Sequence, residues 1–444
     1  MNTPLAAPRR ELSLVDSTCL IVGIIIGVGI FQMAPDVAKG GGNWWGALLL
    51  WTAGGLVSLC GALGYAELAT AYPQQGGDYV YLSKAYGRPA GFLFAWMQLV
   101  VVRPGDIAVM AFAFATYGRA IFGWESKAAE LSLAVSAVLL VTAINVLGVR
   151  QGKWTQNLLT LAKAAGLLAI FAVAFVAPPA KPAVAPAAGF PLSVALILVL
   201  FTYGGWNEMA YVAAEVRDPR RNITRALVLG TVAVTVLYLL ANTAFLSALG
   251  YPGMAGSEAV AADTVARAFP RYGAQFISAL VCVSALGAVN GLVFTGARIS
   301  YAVGRDHRVF DGLGRWEEHR STPVPALLVQ AAIACSLILV LRDLIKALVY
   351  TAPAVYSFYL ATTVSVAVLR RKDPTTPRPF RVTFYPLPNL VFGLVCGWLV
   401  YEAIRYKPLV ALGALGVFAL GIPVYLRSEA MGRAAGNGRG ESRL

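Results

Sequence analysis

Ile25-Ile26-Gly27-Val28-Gly29-Ile30-Phe31 and Phe201-Thr202-Tyr203-Gly204-Gly205-Trp206-Asn207-Glu208 each place paired glycines in the middle of a long apolar run. Glycine costs about 1 kcal/mol per helical position relative to alanine, so each pair favours local unwinding of an otherwise helical segment. Inside a bilayer, unwound backbone persists only where protein or a polar cavity satisfies it. The freed N–H groups and the positive end of the following half-helix attract a carboxylate, and the freed carbonyls attract an ammonium group. For either segment alone, close glycine packing between helices is an alternative. Two such breaks, each in the first span of a five-helix half, point instead to an inverted-repeat transporter with its site at the membrane midplane. The GxG of the first run is not a dinucleotide fingerprint, because the third glycine, preceding strand and downstream acid are missing.

The surrounding composition agrees. Of 444 residues, 58% are hydrophobic and 13% charged, against about 25% charged in a soluble domain. Soluble, disordered, collagen-like and disulfide-stapled classes are thereby excluded. A span needs about 20 apolar residues, and twelve runs qualify, centred on Ile24, Leu56, Val101, Val138, Leu168, Leu200, Thr235, Leu286, Ile333, Tyr356, Leu394 and Leu415. The expected fold is an all-α polytopic membrane protein with 12 transmembrane helices. The expected organisation is an N-terminal tail (1–11), a first five-helix repeat (12–177), an external Pro/Ala-rich linker (178–191), a second, inverted repeat (192–372), two further helices (373–427) and a C-terminal tail (428–444).

The net charge of +14 would suit nucleic acid only if Lys and Arg gathered on one soluble face. Here they sit in short runs between apolar stretches, as topology labels. With both termini inside, the cytoplasmic side takes Arg9, Arg10, Lys84, Arg88, Arg150, Lys153, the clusters at 217–225, 305–320 and 370–381, and the tail arginines. That is more than twice the basic content of the opposite side, so both ends are expected in the cytoplasm. Arg9-Arg10 resembles the start of a signal peptide, but the following apolar run has no small-residue cleavage site and reads as an uncleaved span. The five cysteines all fall in expected helices without CxxC spacing, and His307 and His319 share one loop. No metal or cofactor site is expected. An enzyme would need a nucleophile–base pair or metal cluster at depth, and a channel a ring of charge or repeated filter. Neither pattern is present, and a transport-like sensor is the remaining non-carrier reading.

Charge at the bilayer centre costs about 3 kcal/mol, so ionisable residues within spans need partners. Lys163 has no nearby acid in sequence and must meet carbonyls or titrate. Arg103 and Asp106, at i and i+3, share a helical face and are expected to neutralise each other. Glu208 ends the second break and could face substrate, solvent or a basic partner. Glu67 and Arg298, near the inner ends of spans 2 and 8, are expected in salt bridges. Asn222-Ile223-Thr224 fits a glycosylation sequon but falls in an expected cytoplasmic loop.

Several of these runs resemble one family. Gly27-Val28-Gly29-Ile30-Phe31 is similar to the GSGIF segment of the amino acid–polyamine–organocation superfamily. Gly64-Tyr65-Ala66-Glu67-Leu68, Gly76-Gly77-Asp78-Tyr79, Val102-Arg103-Pro104, the Phe201–Asn207 run with Glu215 and Asp218-Pro219-Arg220-Arg221-Asn222, and Asn290-Gly291 through Arg298 resemble its L-type amino acid transporter branch. The resemblance covers nearly the whole chain and implies a LeuT-like 5+5 inverted repeat with two additional helices. It implies a substrate carboxylate on the amides of Val28 and Gly29, an amino group on carbonyls near Ile25 and Phe201, and a site completed by Gly27, Ile30 and Thr202. By the same resemblance Phe201 gates the outer path, Asn207 lines the site and Gly204 leaves room for the substrate side chain. Lys163 stands where sodium-coupled relatives bind their ion, tying span 5 to span 1 and to span 8 through Ser284 or Asn290. Val28 replaces the family's usual serine, and Glu208 is an acid where animal members often carry an aromatic. The loop at 117–128 has no cysteine, so the disulfide to the heavy chain of animal relatives is not expected and a prokaryotic-type carrier of the inner (plasma) membrane is.

The expected activity is sodium-independent transport of neutral amino acids, small ones included, by exchange, with a free amino acid and the lipid bilayer as the only partners. The alternatives are a proton-coupled symporter or uniporter with Lys163 as the protonation site, and a cationic amino acid carrier using Glu208.

Overall fold

The computed structural model describes residues 8–178, 190–341, 344–406 and 408–440, with backbone alone at 344–353, 406 and 434–440. The linker expected at 178–191 lies mostly outside the described residues, as do the outermost parts of both tails. Among the described residues the regular elements are all helical, and β pairing is confined to isolated bridges at Leu12–Val216 and Glu317–Thr322. Among the described residues, eleven helices are long and apolar enough to cross a membrane. The twelfth expected span, around Tyr356, coincides with the 29-residue helix Leu344–Lys372, which stands outside that set of eleven.

The first span begins at α1 (Leu14–Ile25) with a capping box: Ser13 Oγ accepts the Asp16 N–H, and Asp16 accepts the Ser13 N–H. It breaks at Ile26, whose ψ of 79° is not helical, and resumes as α2 (Gly29–Gln32) and α3 (Ala34–Gly41). The second span is α4 (Trp44–Ala71), followed by the short α5 (Asp78–Tyr86). The third starts as α6 (Arg88–Met97), widens into a π-helical turn at Gln98–Val102 and continues as α7 (Arg103–Phe122). Pro104 cannot donate a backbone hydrogen bond, and the wide turn before it absorbs the mismatch. Such turns are common at functional positions.

Helices α8 (Lys127–Leu147) and α9 (Val149–Val176) form the fourth and fifth spans. The sixth span repeats the break of the first. Helix α10 (Leu192–Thr202) ends at Tyr203, Gly205 turns with φ 103°, and the chain continues as a 3₁₀ segment, Trp206–Glu215. Then come α11 (Pro219–Gly256), the short α12 (Val260–Ala268), α13 (Gly273–Asp306), α14 (Val324–Leu341), α15 (Leu344–Lys372), α16 (Leu387–Tyr406) and α17 (Pro408–Gly440). Helix α1 packs against α9, α11 and α13, whereas α4 packs against α11 and α16. The two broken spans therefore sit at the centre of the bundle.

Salt bridges tie the end of the bundle where α1 starts, as expected for Glu67 and Arg298. Arg370 donates to both oxygens of Glu67 at 2.8 and 2.6 Å, and the Val382 N–H adds a third bond at 2.8 Å. Arg298, fully buried, donates to Glu215 at 2.9 and 3.1 Å, and Gln75 donates to the same carboxylate. Leu12 pairs with the strand-like backbone after the 3₁₀ segment: its N–H donates to Glu215 O, and the Arg217 N–H donates to Leu12 O.

Candidate functional site

The two breaks interlock. A Cβ on Gly29 would lie 2.7 Å from Thr202 Oγ1 and 2.9 Å from Thr202 Cγ2, and one on Gly205 would lie 2.6 Å from Ile24 Cγ2. Gly205 also sits in the left-handed region that disfavours any other residue. Backbones can approach this closely only because neither position has a side chain. Tyr238, from the middle of α11, bridges the gap. Its hydroxyl lies 2.9 Å from Ile25 O and 3.2 Å from Thr202 O, and its single proton serves one of these carbonyls at a time.

On the other side of the first break stands Lys163 of α9, with no solvent exposure. Its ammonium donates to Gly23 O at 2.7 Å, Ile26 O at 2.8 Å and Ser284 O at 2.8 Å. Three donors thus meet three carbonyls, two of them from the unwinding end of α1. Ser284 Oγ lies within 2.8–2.9 Å of Ile26 O and Gly27 O, so α13 holds the same break. Of the two residues expected to carry Lys163 to α13, Ser284 does so and Asn290 does not. Asn290 instead donates to Gly152 O and Gln156 Oε1 and accepts from Asn145, joining α8, α9 and α13 about one and two-thirds turns away from Ser284.

Between the breaks lies a cavity of about 140 Å³, well below the roughly 300–1,000 Å³ of drug-sized pockets and on the scale of a small solute. Its wall includes Ile25, Gly27, Val28, Gly29, Phe201, Thr202, Gly204 and Glu208. Two expected members are displaced from it. Ile30 is fully buried and its side chain packs into the apolar core. Asn207 stands one residue behind the wall, donating to Tyr211 Oη and accepting from Tyr359 Oη; its neighbour Tyr359 lines the cavity in its place. The 3₁₀ geometry of Trp206–Glu215 rotates side chains differently from an α-helix, which sequence spacing could not show.

Arg103 makes its direct ion pair with another acid, Glu208, while Asp106, the partner expected from spacing, acts on it as a more distant charge. Arg103 Nη1 lies 2.9 Å from both oxygens of Glu208, and Thr295 Oγ1 donates to Glu208 Oε2 at 2.5 Å. The carboxylate at the end of the second break is thus held by α7 and α13. Asp106 lines the cavity wall with Val109, Met110, Tyr356 and Tyr359. An aromatic cluster closes one end: Trp206 packs edge-on against Tyr65 and Phe392, at 5.0 and 5.3 Å, and tilted against Tyr359 at 5.6 Å.

Tyr238, Tyr356 and Tyr359 escaped the sequence reading because single tyrosines inside apolar runs resemble interfacial or core residues. Tyr356, Tyr359 and Thr363 at helical spacing are the signal that marks α15 as facing a polar space. Among the described residues, no three His, Cys, Asp or Glu side chains are grouped to hold a metal ion.

The site's geometry coincides with a sequence relationship. The amino acid permease family model matches residues 12–419. The b(0,+)-type amino acid transporter 1 of Mus musculus is 33% identical over 413 residues, covering 90% of this chain and 84% of that protein. The large neutral amino acids transporter small subunit 2 of Homo sapiens is 32% identical over 434 residues, covering 94% of this chain and 80% of that protein. Two interlocked helix breaks around a small central cavity are thus carried by a chain that belongs to the amino acid permease family, in the L-type branch of the amino acid–polyamine–organocation superfamily, a family of transporters and not of enzymes.

Proposed function

We propose that the protein is a sodium-independent exchanger of neutral amino acids, small ones included, working by alternating access around the cavity between the two breaks. In this reading the substrate carboxylate takes the amides of Val28 and Gly29, which open α2 without acceptors inside that helix. The amino group takes carbonyls at Ile25 and Thr202, where Tyr238 already shows that both breaks present acceptors to a shared donor. The small cavity volume favours small side chains, and Phe201 on its wall closes the outer path. Both termini face the cytoplasm of a prokaryotic inner membrane, and residues 12–177 and 192–372 form the two inverted repeats. A disulfide-linked heavy chain takes no part.

The observation that carries the reading is the Lys163 ammonium on Gly23 O, Ile26 O and Ser284 O. A coupling cation at this break would need such carbonyls. Here a fixed cation occupies them, so transport needs no sodium, and an unloaded carrier has no gradient to drive it. The test is counterflow in proteoliposomes: labelled alanine should enter preloaded vesicles and not empty ones, with or without sodium. Uptake into empty vesicles driven by a pH gradient would replace exchange with proton coupling. Saturable binding without flux would replace transport with sensing.

A further inference from the structure

We propose that Asp78 is a proton-operated latch: it carries a proton while the end of the bundle where α1 starts is closed, and gives that proton up to water when this end opens. The inference rests on reading the cavity as a substrate site worked by alternating access. Asp78 opens α5 and has no solvent exposure. Its Oδ1 accepts from the hydroxyls of Tyr65 on α4 and Thr362 on α15, and the Tyr211 hydroxyl of the 3₁₀ segment stands beside them. Its Oδ2 is buried with no hydrogen-bond partner among the described residues, and is the atom that takes the proton. Four elements thus meet on one carboxyl group. The turn that leads into α5 presses on the same segment: the Gly76 N–H donates to Tyr211 O at 3.1 Å, and a Cβ on Gly77 would lie 2.7 Å from Tyr211 Cδ1.

The cluster lies between the cavity and this end of the bundle. Tyr359 lines the cavity and donates to Asn207, whose amide donates to Tyr211. Thr362 lies three residues further along α15, about 4.5 Å of rise, toward Arg370 and Lys372, which bind Glu67 and Ala85 O. A solute leaving the cavity in this direction has to part α5 from α15 and from the 3₁₀ segment, and parting them wets Asp78.

The groups around Asp78 are hydroxyls rather than cations. The titratable side chains that feel its charge include Tyr65, Tyr81, Tyr211 and Tyr359. The cations of the surrounding elements are engaged elsewhere: Arg298 with Glu215, Arg370 with Glu67, Arg103 with Glu208, and Arg88 with Glu429 and Asp306 O. Lys84 lies over the Tyr72 ring, and the Asp306 carboxylate accepts from Tyr79. Removal from water disfavours a carboxylate against its neutral form. Burial holds Asp78 above the ordinary value of 3.8, against the pull of the Thr362, Tyr65 and Tyr211 hydroxyls. Once hydrated, the carboxyl group returns toward that value and loses its proton. Acid therefore favours the closed end, and exchange slows as the pH falls. The proton leaves and returns on the same side, so exchange stays uncoupled from a proton gradient.

The test measures exchange of labelled alanine in preloaded proteoliposomes with the same pH on both sides, from about pH 4.5 to 8.5, so that no gradient acts. In the unaltered protein the rate should fall about fivefold or more toward the acid end. Asp78→Asn keeps the Oδ1 acceptor and cannot ionise, so its exchange should be slow and vary less than about twofold across the range. Thr362→Val removes a donor to the charged form, so the midpoint of the acid inhibition should move up by about half a pH unit or more. A purely structural role would lower the rate and leave the midpoint in place. A flat profile in the unaltered protein overturns the proposal, as does an Asp78→Asn protein with the unaltered slope or a Thr362→Val midpoint that stays or moves down. Should Asp78→Asn fail to fold, the Thr362→Val midpoint decides. Absence of alanine exchange at every pH defeats the transport reading itself, whereas exchange whose pH profile ignores Asp78 and Thr362 defeats only the latch.

Discussion

Arg103 Nη1 lies 2.9 Å from each carboxylate oxygen of Glu208, and the two side chains are 3% and 6% exposed. The pair fastens α7 to the 3₁₀ half of the sixth span, and Thr295 attaches α13 to the same carboxylate. Removing one member of a buried pair leaves the other charge uncompensated, which costs about 3–5 kcal/mol. Glu208→Ala and Arg103→Met should each lower the thermal transition of the detergent-solubilised protein strongly. The double variant Arg103→Met/Glu208→Met should recover part of that loss, because no stranded charge remains. If the double variant were as unstable as the sum of the two singles, the pair would not be the source of the effect.

Lys163 tests a different property. Its three carbonyl partners lie at the end of α1 and on α13, behind the cavity rather than on its wall. Lys163→Ala should therefore slow exchange at least tenfold while changing alanine affinity by no more than about threefold, because the ammonium holds the break without touching the solute. Exchange rate is read in proteoliposomes and affinity by scintillation proximity on purified protein. Unchanged flux in this variant would remove Lys163 from the transport cycle.

Gly29 and Thr202 mark where the breaks approach most closely. Gly29→Ala places a carbon 2.7 Å from Thr202 Oγ1 and 2.9 Å from Cγ2, inside van der Waals contact, and the β-branched Thr202 has few rotamers in which to retreat. The variant should lose most exchange. Adding Thr202→Ala removes the two nearest atoms and leaves Cβ at 3.1 Å, so the double variant should regain a measurable fraction. A single Gly29→Ala protein with full activity would show that the breaks separate in the cycle without needing this contact.

The backbone punctuation was legible in the sequence because glycine's helix cost is local. Gly27, Gly29, Gly204 and Gly205 announce the breaks by themselves, and Lys163 announces itself by the absence of any acid within reach. What stayed hidden depends on rotation and on distance along the chain. Asp106 stands at helical spacing from Arg103, yet Arg103 turns to Glu208, 105 residues away in sequence. Asn207 is expected from the resemblance to line the site, and the 3₁₀ winding from Trp206 onward turns it toward Tyr211 and Tyr359. Asn290 lies six residues from Ser284, one and two-thirds helical turns, and so faces α8 while Ser284 faces the break. Pairing over long sequence separations and the winding of a broken helix are set by tertiary packing, which local spacing does not encode.

His307, at the end of α13, is 2% exposed. It packs edge-on against Phe92 at 4.8 Å, with Tyr79 and Tyr425 alongside. Burial pushes its imidazole below the ordinary value of 6.5, and Arg88 acts in the same direction, while Asp306 and Glu429 oppose them. A depressed value in the folded state means that the unfolded chain binds the proton more readily. Stability is therefore full above pH 6.5 and falls as the pH drops through the window below it. The transition temperature in detergent should decline between pH 7.5 and 5.5, and His307→Gln should flatten that decline because the glutamine does not titrate. Equal slopes in the unaltered protein and in His307→Gln would assign the acid sensitivity to another group.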